Sequence, residues 1–465
     1  MIRYLRRRWN AEGGYRQVLA LAVPLILSTG STSVQHFFNR IFLSWYAPEA
    51  VAAAMPAGMV SYALLCLFLG TVGYVGTFAA QYHGAGQEER VGRALWQSLW
   101  VALAGGLLCL ATVPFAPRFF AMAGHQPAVQ RNEVVFYTIL CYGALPALAS
   151  AAFAGVLSGL GRTLPVMWVT LGGAALNVLL DWLLIFGRWG FPALGIAGAG
   201  WANVAASLAM SAAFAAIVFG RGVRQRCGML RWRPERALLL RLLSFGLPSG
   251  VQFFIDMAGF TVFILLVGRL GTTDLAASTI AFNINTLAFM PMIGIGITVS
   301  VLVGRQVGRG DPAGARVAVR SAFEMTFGYM ALVAGLFFFA PGLFLAPFAA
   351  QSDPRTFPAI AATAAVLLKF VAVYTLFDGL NIVFSSAIKG AGDTRFVMAM
   401  IGAMSLGILI VPSYLAVAVL RADIYACWGI ATAYVIALGI AFLLRYRGGA
   451  WERMRVIEPV RTMEP

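Results

Sequence analysis

The sequence predicts an all-α polytopic membrane protein: twelve transmembrane helices in two six-helix lobes, related by a pseudo-two-fold axis along the membrane normal. The composition is too apolar for a water-soluble chain, with 60% hydrophobic and 11% charged residues over 465 positions and a mean hydropathy of +0.81. Soluble domains sit nearer 45–50% and about 25%. The apolar residues are gathered into about a dozen long runs, and the second half of the chain repeats the first.

In chain order the apolar segments are 17–46, 50–80, 94–116, 133–157, 164–187, 194–219, 243–268, 275–303, 320–344, 358–388, 396–420 and 424–444. Each reaches the roughly 20 residues with which a helix crosses ~30 Å of hydrocarbon. The basic stretch before the first run resembles the start of a signal peptide, but the run is too long and lacks a small-residue cleavage site, so it reads as a retained helix. The organisation expected is a cytoplasmic N-terminal segment (1–16), an N-lobe (17–219), an arginine-rich cytoplasmic linker (220–242), a C-lobe (243–444) and a cytoplasmic C-terminal tail (445–465).

The formal net charge of +16 would suit a nucleic-acid binder, but its distribution follows the membrane. The N-terminus carries Arg3, Arg6, Arg7, Arg8 and Arg16. Alternate loops add Arg90 and Arg93; Arg162; Arg221, Arg224, Arg226, Arg231, Arg233, Arg236 and Arg241; Arg305, Arg309, Arg316 and Arg320; and Lys389 and Arg395. The C-terminus adds Arg445, Arg447, Arg453, Arg455 and Arg461. The intervening loops hold only Arg118, Arg131, Arg188, Arg269, Arg355 and Arg421, and Arg40 and Lys369 fall inside apolar runs. The positive-inside rule then puts both termini in the cytoplasm. The cluster between runs 6 and 7 reads as a topology signal in preference to an anionic-lipid or nucleic-acid patch. The partners expected are the bilayer and a small molecule, with no nucleic acid, and the chain is expected to be a monomer. Thirty-two Arg against two Lys point to a GC-rich bacterial genome, and hence to a cell inner membrane.

The repeat appears on sliding the chain along itself. At an offset of 224, Pro24 meets Pro248, Ala52 and Ala53 meet Ala276 and Ala277, Gly70 meets Gly294, and Gly84 and Gly86 meet Gly308 and Gly310. At 231, GLGRTLPVM (159–167) meets GAGDTRFVM (390–398), and Gly198 meets Gly429. Six spans per half return the chain to its starting side, so the repeats share one orientation. That is a transporter arrangement, with the substrate path near the bilayer midplane.

Ionisable residues deep in the spans demand a reason, because a carboxylate there costs about 2.5–3.5 kcal/mol on insertion scales. Asp256 and Asp378 lie in the second half, with Tyr374 one turn before Asp378 on the same helix face. Asp181 lies in the first half, one turn after Asn177, and run 1 carries Gln35, His36, Asn39 and Arg40. The acids have no repeat counterparts: Asp256 aligns with Thr32, Asp181 with Pro412 and Asp378 with Ala147. They are additions to the duplicated scaffold, which favours function. Asp256 and Asp378, with the Tyr374 hydroxyl, form a candidate site for Na⁺ or an exchanged proton; two neighbouring acids in a low-dielectric setting raise a pKa or recruit a cation. Asp181 with Arg40 reads as a buried ion pair or a polar cluster, and His36 as an interhelical hydrogen bonder. Asn283 and Asn285 read as cavity lining or helix bridges. Glu324 and Lys369 read as bland, and Pro24, Pro146, Pro248, Pro291 and Pro412 as places where spans bend. Five cysteines without CxxC spacing suggest neither a disulfide framework nor zinc. No phosphate-binding loop or hydrolase motif occurs, so neither ATP use nor enzymatic chemistry is expected, and no cofactor beyond a coupling ion.

With these residues in place, the chain resembles the multidrug and toxic compound extrusion (MATE) family, with NorM/DinF-like features, from about residue 17 to 445. GLPSGVQFFID (246–256) is similar to the family's helix 7 signature, and YTLFDGLNIVFSSAIKGAGDTR (374–395) to its helix 10 and following loop. GLGRTLPVMWVTLGGAALNVLLDWLLIFG (159–187) and FPALGIAGAGWANV (191–204) match in the first half. The resemblance implies twelve helices in two lobes around a V-shaped cavity, and drug export driven by Na⁺ or H⁺. It also implies a C-lobe cation site at Asp256, Tyr374 and Asp378, and an N-lobe polar cluster at Asn177 and Asp181. Where many members carry an acid in helix 1, this chain has Asn39 followed by Arg40, so coupling is expected to run through the C-lobe.

The activity expected is cation-coupled antiport of small organic molecules, cationic or amphiphilic, by alternating access. If Arg40 faces the cavity, anionic cargo gains ground, and the alternative is a flippase for a lipid-linked or anionic precursor.

Overall fold

The computed structural model describes residues 8–122, 124–349 and 355–458; Arg3, Arg6, Arg7 and Arg461 lie outside the described residues. Eleven helices among them are long and apolar enough to cross a membrane. They are span 1 (Tyr15–Tyr46), span 2 (Pro48–Gly84), span 3 (Glu89–Ala121), span 5 (Thr163–Phe186), span 6 (Ile196–Val218), span 7 (Arg236–Val267), span 8 (Thr272–Arg309), span 9 (Pro312–Phe339), span 10 (Phe357–Ala391), span 11 (Thr394–Val419) and span 12 (Ile424–Arg447). A bent pair, Pro127–Tyr142 and Ala144–Gly159, meeting at 43°, passes the same test only when taken together and counts as a twelfth crossing when read as one broken span, here span 4.

Local chemistry explains the starts and breaks. Span 9 opens on Asp311, whose carboxylate accepts from Gly314 N at 3.0 Å, followed by a proline in the first turn where no amide is needed. Span 12 opens on Asp423, which accepts from Ala426 N at 2.9 Å. Span 4 breaks where Pro146 removes the amide that would bond the Tyr142 carbonyl, with Gly143 adjoining. Around Pro412, span 11 loosens into two wide turns of π type, Ser405–Ile410 and Leu415–Val419; such turns relieve a missing hydrogen bond without ending the helix. Pro24, Pro248 and Pro291 lie inside continuous helices.

The chain divides into two compact units. One comprises Met1–Ala22, Ile255–Val303 and Asp311–Met454; the other comprises Val23–Phe254, Gly304–Gly310 and Arg455–Pro465. In the first, Phe263, Phe282 and Trp428 form a ring cluster, with Phe282 and Trp428 centroids 4.8 Å apart. Glu324 is not a bland residue there: it pairs with Arg8 at 2.8 Å and Arg320 at 2.9 Å and accepts from the Tyr15 hydroxyl, tying the N-terminal segment to span 9. Lys369 lies over the Phe338 ring. In the second unit a core of Val75, Phe78, Leu95, Leu148, Val156 and Phe214 is joined by Val456 and Ile457.

The repeat is legible in backbone packing. In the second unit, a Cβ on Gly84 would strike the Arg305 carbonyl, and one on Gly308 would strike the Gln81 carbonyl. At the 224 offset Gln81 corresponds to Arg305 and Gly84 to Gly308, so each glycine of this crossing meets its partner's counterpart. A Cβ on Gly159 would strike the Gly76 carbonyl, and the repeat-equivalent Gly390 would meet the Ser300 carbonyl in the first unit.

The end of the described chain is built into the second unit. Val456 and Ile457 are buried, Val456 N donates to Gln81 Oε1 at 2.9 Å, the Arg241 guanidinium donates to both carbonyls, and Arg90 pairs with Glu458. Burying two such aliphatic side chains stabilises by about 3–6 kcal/mol. Val456→Asp is therefore expected to lower the thermal unfolding midpoint in detergent markedly, while Val456→Ile leaves it near wild type. Equal midpoints would show that the segment's packing contributes nothing.

Candidate functional site

Two polar clusters interrupt the apolar interior, one in each unit. The first is centred on Asp378 of span 10. Tyr374 and Asp378, one turn apart, are both buried, at 4% and 7% exposure; Asp256 on span 7 is half-buried. Asp378 lies within electrostatic reach of Asp256, and Asn381 sits beside it one turn on. The Tyr434 hydroxyl of span 12 senses both acids and lies beside Ser405 of span 11. Close backbone packing sets these positions. A Cβ on Gly259, three residues after Asp256, would come within 2.5 Å of Ser405 Oγ, and one on Gly439 would come within 2.8 Å of the Phe377 carbonyl, next to Asp378. The structure thus brings together the three residues expected from sequence.

Lys389 sits in the last turn of span 10. Counted from sequence with the loop residues, it lies inside span 10, half-buried and in electrostatic contact with Asp256. Asp378 lies eleven residues, about 16 Å, back along the same helix, so Lys389 acts on Asp256 from the end of the span. Sequence reasoning missed Asn381, although its i+3 spacing from Asp378 was a usable signal. It also missed Tyr434 and Ser405, which carried none.

The second cluster is centred on Asp181 of span 5. Asp181 and Asn177 are fully buried, and Asn39 Nδ2 donates to Asp181 Oδ2 at 3.4 Å. Asp181 Oδ1 and both amide atoms of Asn177 have no hydrogen-bond partner among the described residues. An orphaned buried polar atom costs about 1–3 kcal/mol, so protonation of the Asp181 carboxyl would relieve part of that cost. Arg40 is not the partner of Asp181. It is exposed, beside exposed His36 one turn away, because one residue turns the helix by about 100° and sends Asn39 and Arg40 in different directions. His36 accordingly makes no interhelical hydrogen bond among the described residues, and Gln35 is half-buried. Asn283 lines an open, largely apolar groove of about 510 Å³ with Thr279, Phe348, Phe357 and Ile360. Asn285 lies about 200° round the helix from Asn283 and is half-buried. Among the described residues no three His, Cys, Asp or Glu side chains gather as a metal site.

Eleven to twelve apolar crossings among the described residues, a duplicated scaffold and isolated deep acids define a polytopic membrane transporter. The MatE family model matches residues 24–183 and 248–415, and the chain belongs to that family of membrane efflux transporters; it is not an enzyme. It is 30% identical over 402 residues to the multidrug resistance protein PmpM of Pseudomonas aeruginosa, covering 85% of this chain and 82% of the relative. It is 31% identical over 392 residues to the probable multidrug resistance protein NorM of Bradyrhizobium diazoefficiens, covering 82% of each. Among solved structures, an outward-facing multidrug resistance MATE family transporter of the MOP superfamily superposes with a TM-score of 0.86 at 20% identity, over 97% of this chain and 99% of that one. A MOP superfamily transporter from Pyrococcus furiosus gives 0.85 at 20% identity, over 96% and 98%. At that identity the likeness is one of fold.

Proposed function

We propose that this transporter is an antiporter: an inward-moving Na⁺ or H⁺ drives export of small organic molecules by alternating access, with both termini in the cytoplasm. The observation that carries the reading is the buried carboxyl of Asp378 within reach of Asp256, inside a membrane-spanning helix bundle. Lys389 offsets the charge of Asp256, so Asp378, with Tyr374, Asn381 and Tyr434 around it, is the acid left to take the coupling ion. The likeness to PmpM and NorM, named as a multidrug resistance protein and a probable one, supports organic drugs as cargo.

The energetics suffice. One monovalent cation crossing about 100–150 mV releases roughly 2.3–3.5 kcal/mol. At 1.4 kcal/mol per tenfold, that sustains roughly a 50- to 300-fold substrate gradient without ATP.

The exposed Arg40 beside His36 favours a second reading, export or flipping of an anionic or lipid-linked precursor. One assay separates the two. Vesicles containing the purified protein are loaded with a cationic dye or a labelled lipid precursor, and a Na⁺ or pH gradient is imposed separately. Dye efflux that follows one gradient is the expected result. Movement of the lipid precursor alone would establish the second reading, and gradient-independent conductance would overturn both.

A further inference from the structure

The arginine-rich connection between spans 6 and 7 does more than mark topology. We propose that residues 221–236 form a fixed docking surface for anionic phospholipid headgroups, with Leu230 and Trp232 seated at the acyl boundary.

The connection folds back along span 3 and is held there. Gly92 N donates to the Cys227 carbonyl at 2.8 Å, and Trp96 Nε1 donates to the Met229 carbonyl at 2.8 Å. Trp100 Nε1 donates to the Trp232 carbonyl at 3.3 Å. Gln97, itself fully buried, donates to the Arg233 carbonyl at 3.2 Å and accepts from Glu235 N at 3.1 Å. Cys227 and Met229 are buried in the unit's core. Trp100 lies seven residues beyond Arg93, about 10 Å further along the axis at 1.5 Å per residue, and the span turns apolar from residue 94 onward. Residues 229–233 therefore lie against the apolar part of a membrane helix rather than beyond its end.

What this segment turns outward is amphipathic. Leu230 and Trp232 are 68% and 57% exposed. Arg231 and Arg233 are interleaved with them, and Arg221 and Arg236 are also exposed. Two nearby arginines are already neutralised, Arg226 by Glu88 at 3.2 Å and Arg93 by Glu235 at 3.4 Å. Arg221, Arg224, Arg231, Arg233 and Arg236 have no acidic partner among the described residues. Tryptophan at an interface, apolar side chains pointing off the protein and unneutralised arginines at the same depth are complementary to acidic headgroups above acyl chains. A nucleic acid would match the charge but leave Leu230 and Trp232 in water.

The test uses tryptophan fluorescence of the full chain in vesicles of mixed phosphatidylcholine and phosphatidylglycerol, with brominated acyl chains placed on one lipid or the other. The Trp232 signal is the difference between wild type and Trp232→Phe. It is expected to be quenched several-fold more by brominated phosphatidylglycerol. That preference should fall roughly fivefold for each of Arg231→Gln and Arg233→Gln. Should those variants fold poorly, raising the salt on wild type must remove the same preference by screening. Equal quenching by both lipids, no quenching at all, or protection of Trp232 by an oligonucleotide instead of lipid would each overturn the proposal.

Discussion

Asp378→Asn is expected to abolish gradient-driven efflux while the protein remains folded. The substitution is isosteric, so packing against Tyr374 and Asn381 is kept, but the amide can neither carry a proton through the cycle nor hold a cation by charge. If one ion is coupled at this centre, the sustained substrate gradient should collapse from roughly 50- to 300-fold to none. Efflux and circular dichroism on the same vesicles separate lost coupling from lost structure. Asp256→Asn should also impair coupling, because it removes the second carboxylate whose charge Asp378 feels. Asp181→Asn should keep its gradient dependence, since the partner of Asp181 is the uncharged Asn39. Coupling that survives in the Asp378 variant and disappears in the Asp181 variant would move the ion site to the other cluster.

The spans were readable because membrane solvation imposes its demand on composition: every crossing needs an apolar run, and the runs at 164–187 and 358–388 lie within a few residues of the helices observed. The isolated acids were readable for the opposite reason, since each stands out against its run. What could not be read is rotational and tertiary. Asn39 and Arg40 are neighbours in sequence, and only packing decides which of them reaches Asp181. Lys389 lies near the end of an apolar run, where a loop cation and an inward-pointing one look alike. Tyr434 and Ser405 join the Asp378 centre from spans whose sequence gives no periodic cue. Val456 and Ile457 are two apolar residues in a polar tail, too short a signal to announce a buried segment.

Gly308→Val is expected to be the most damaging substitution away from the polar clusters. At this crossing the atom that a new Cβ meets is the Gln81 carbonyl, part of a helix backbone, so no flexible side chain can move aside. The symmetric half offers no slack either, because Gly84 is pressed against the Arg305 carbonyl in the same way. Overpacking of this kind typically costs about 1–3 kcal/mol, and more where backbone must shift. Two added methyl groups should push it to the upper end or beyond. The thermal midpoint in detergent should fall sharply, and Gly84→Val should do the same. Gly328→Ala in span 9, where nothing lies within 4 Å of a new Cβ, should leave it unchanged or raise it through reduced unfolded-chain entropy. If Gly308→Val and Gly328→Ala unfold at the same temperature, the close crossing does not hold the helices, and the repeat would be a relic of duplication with no part in packing.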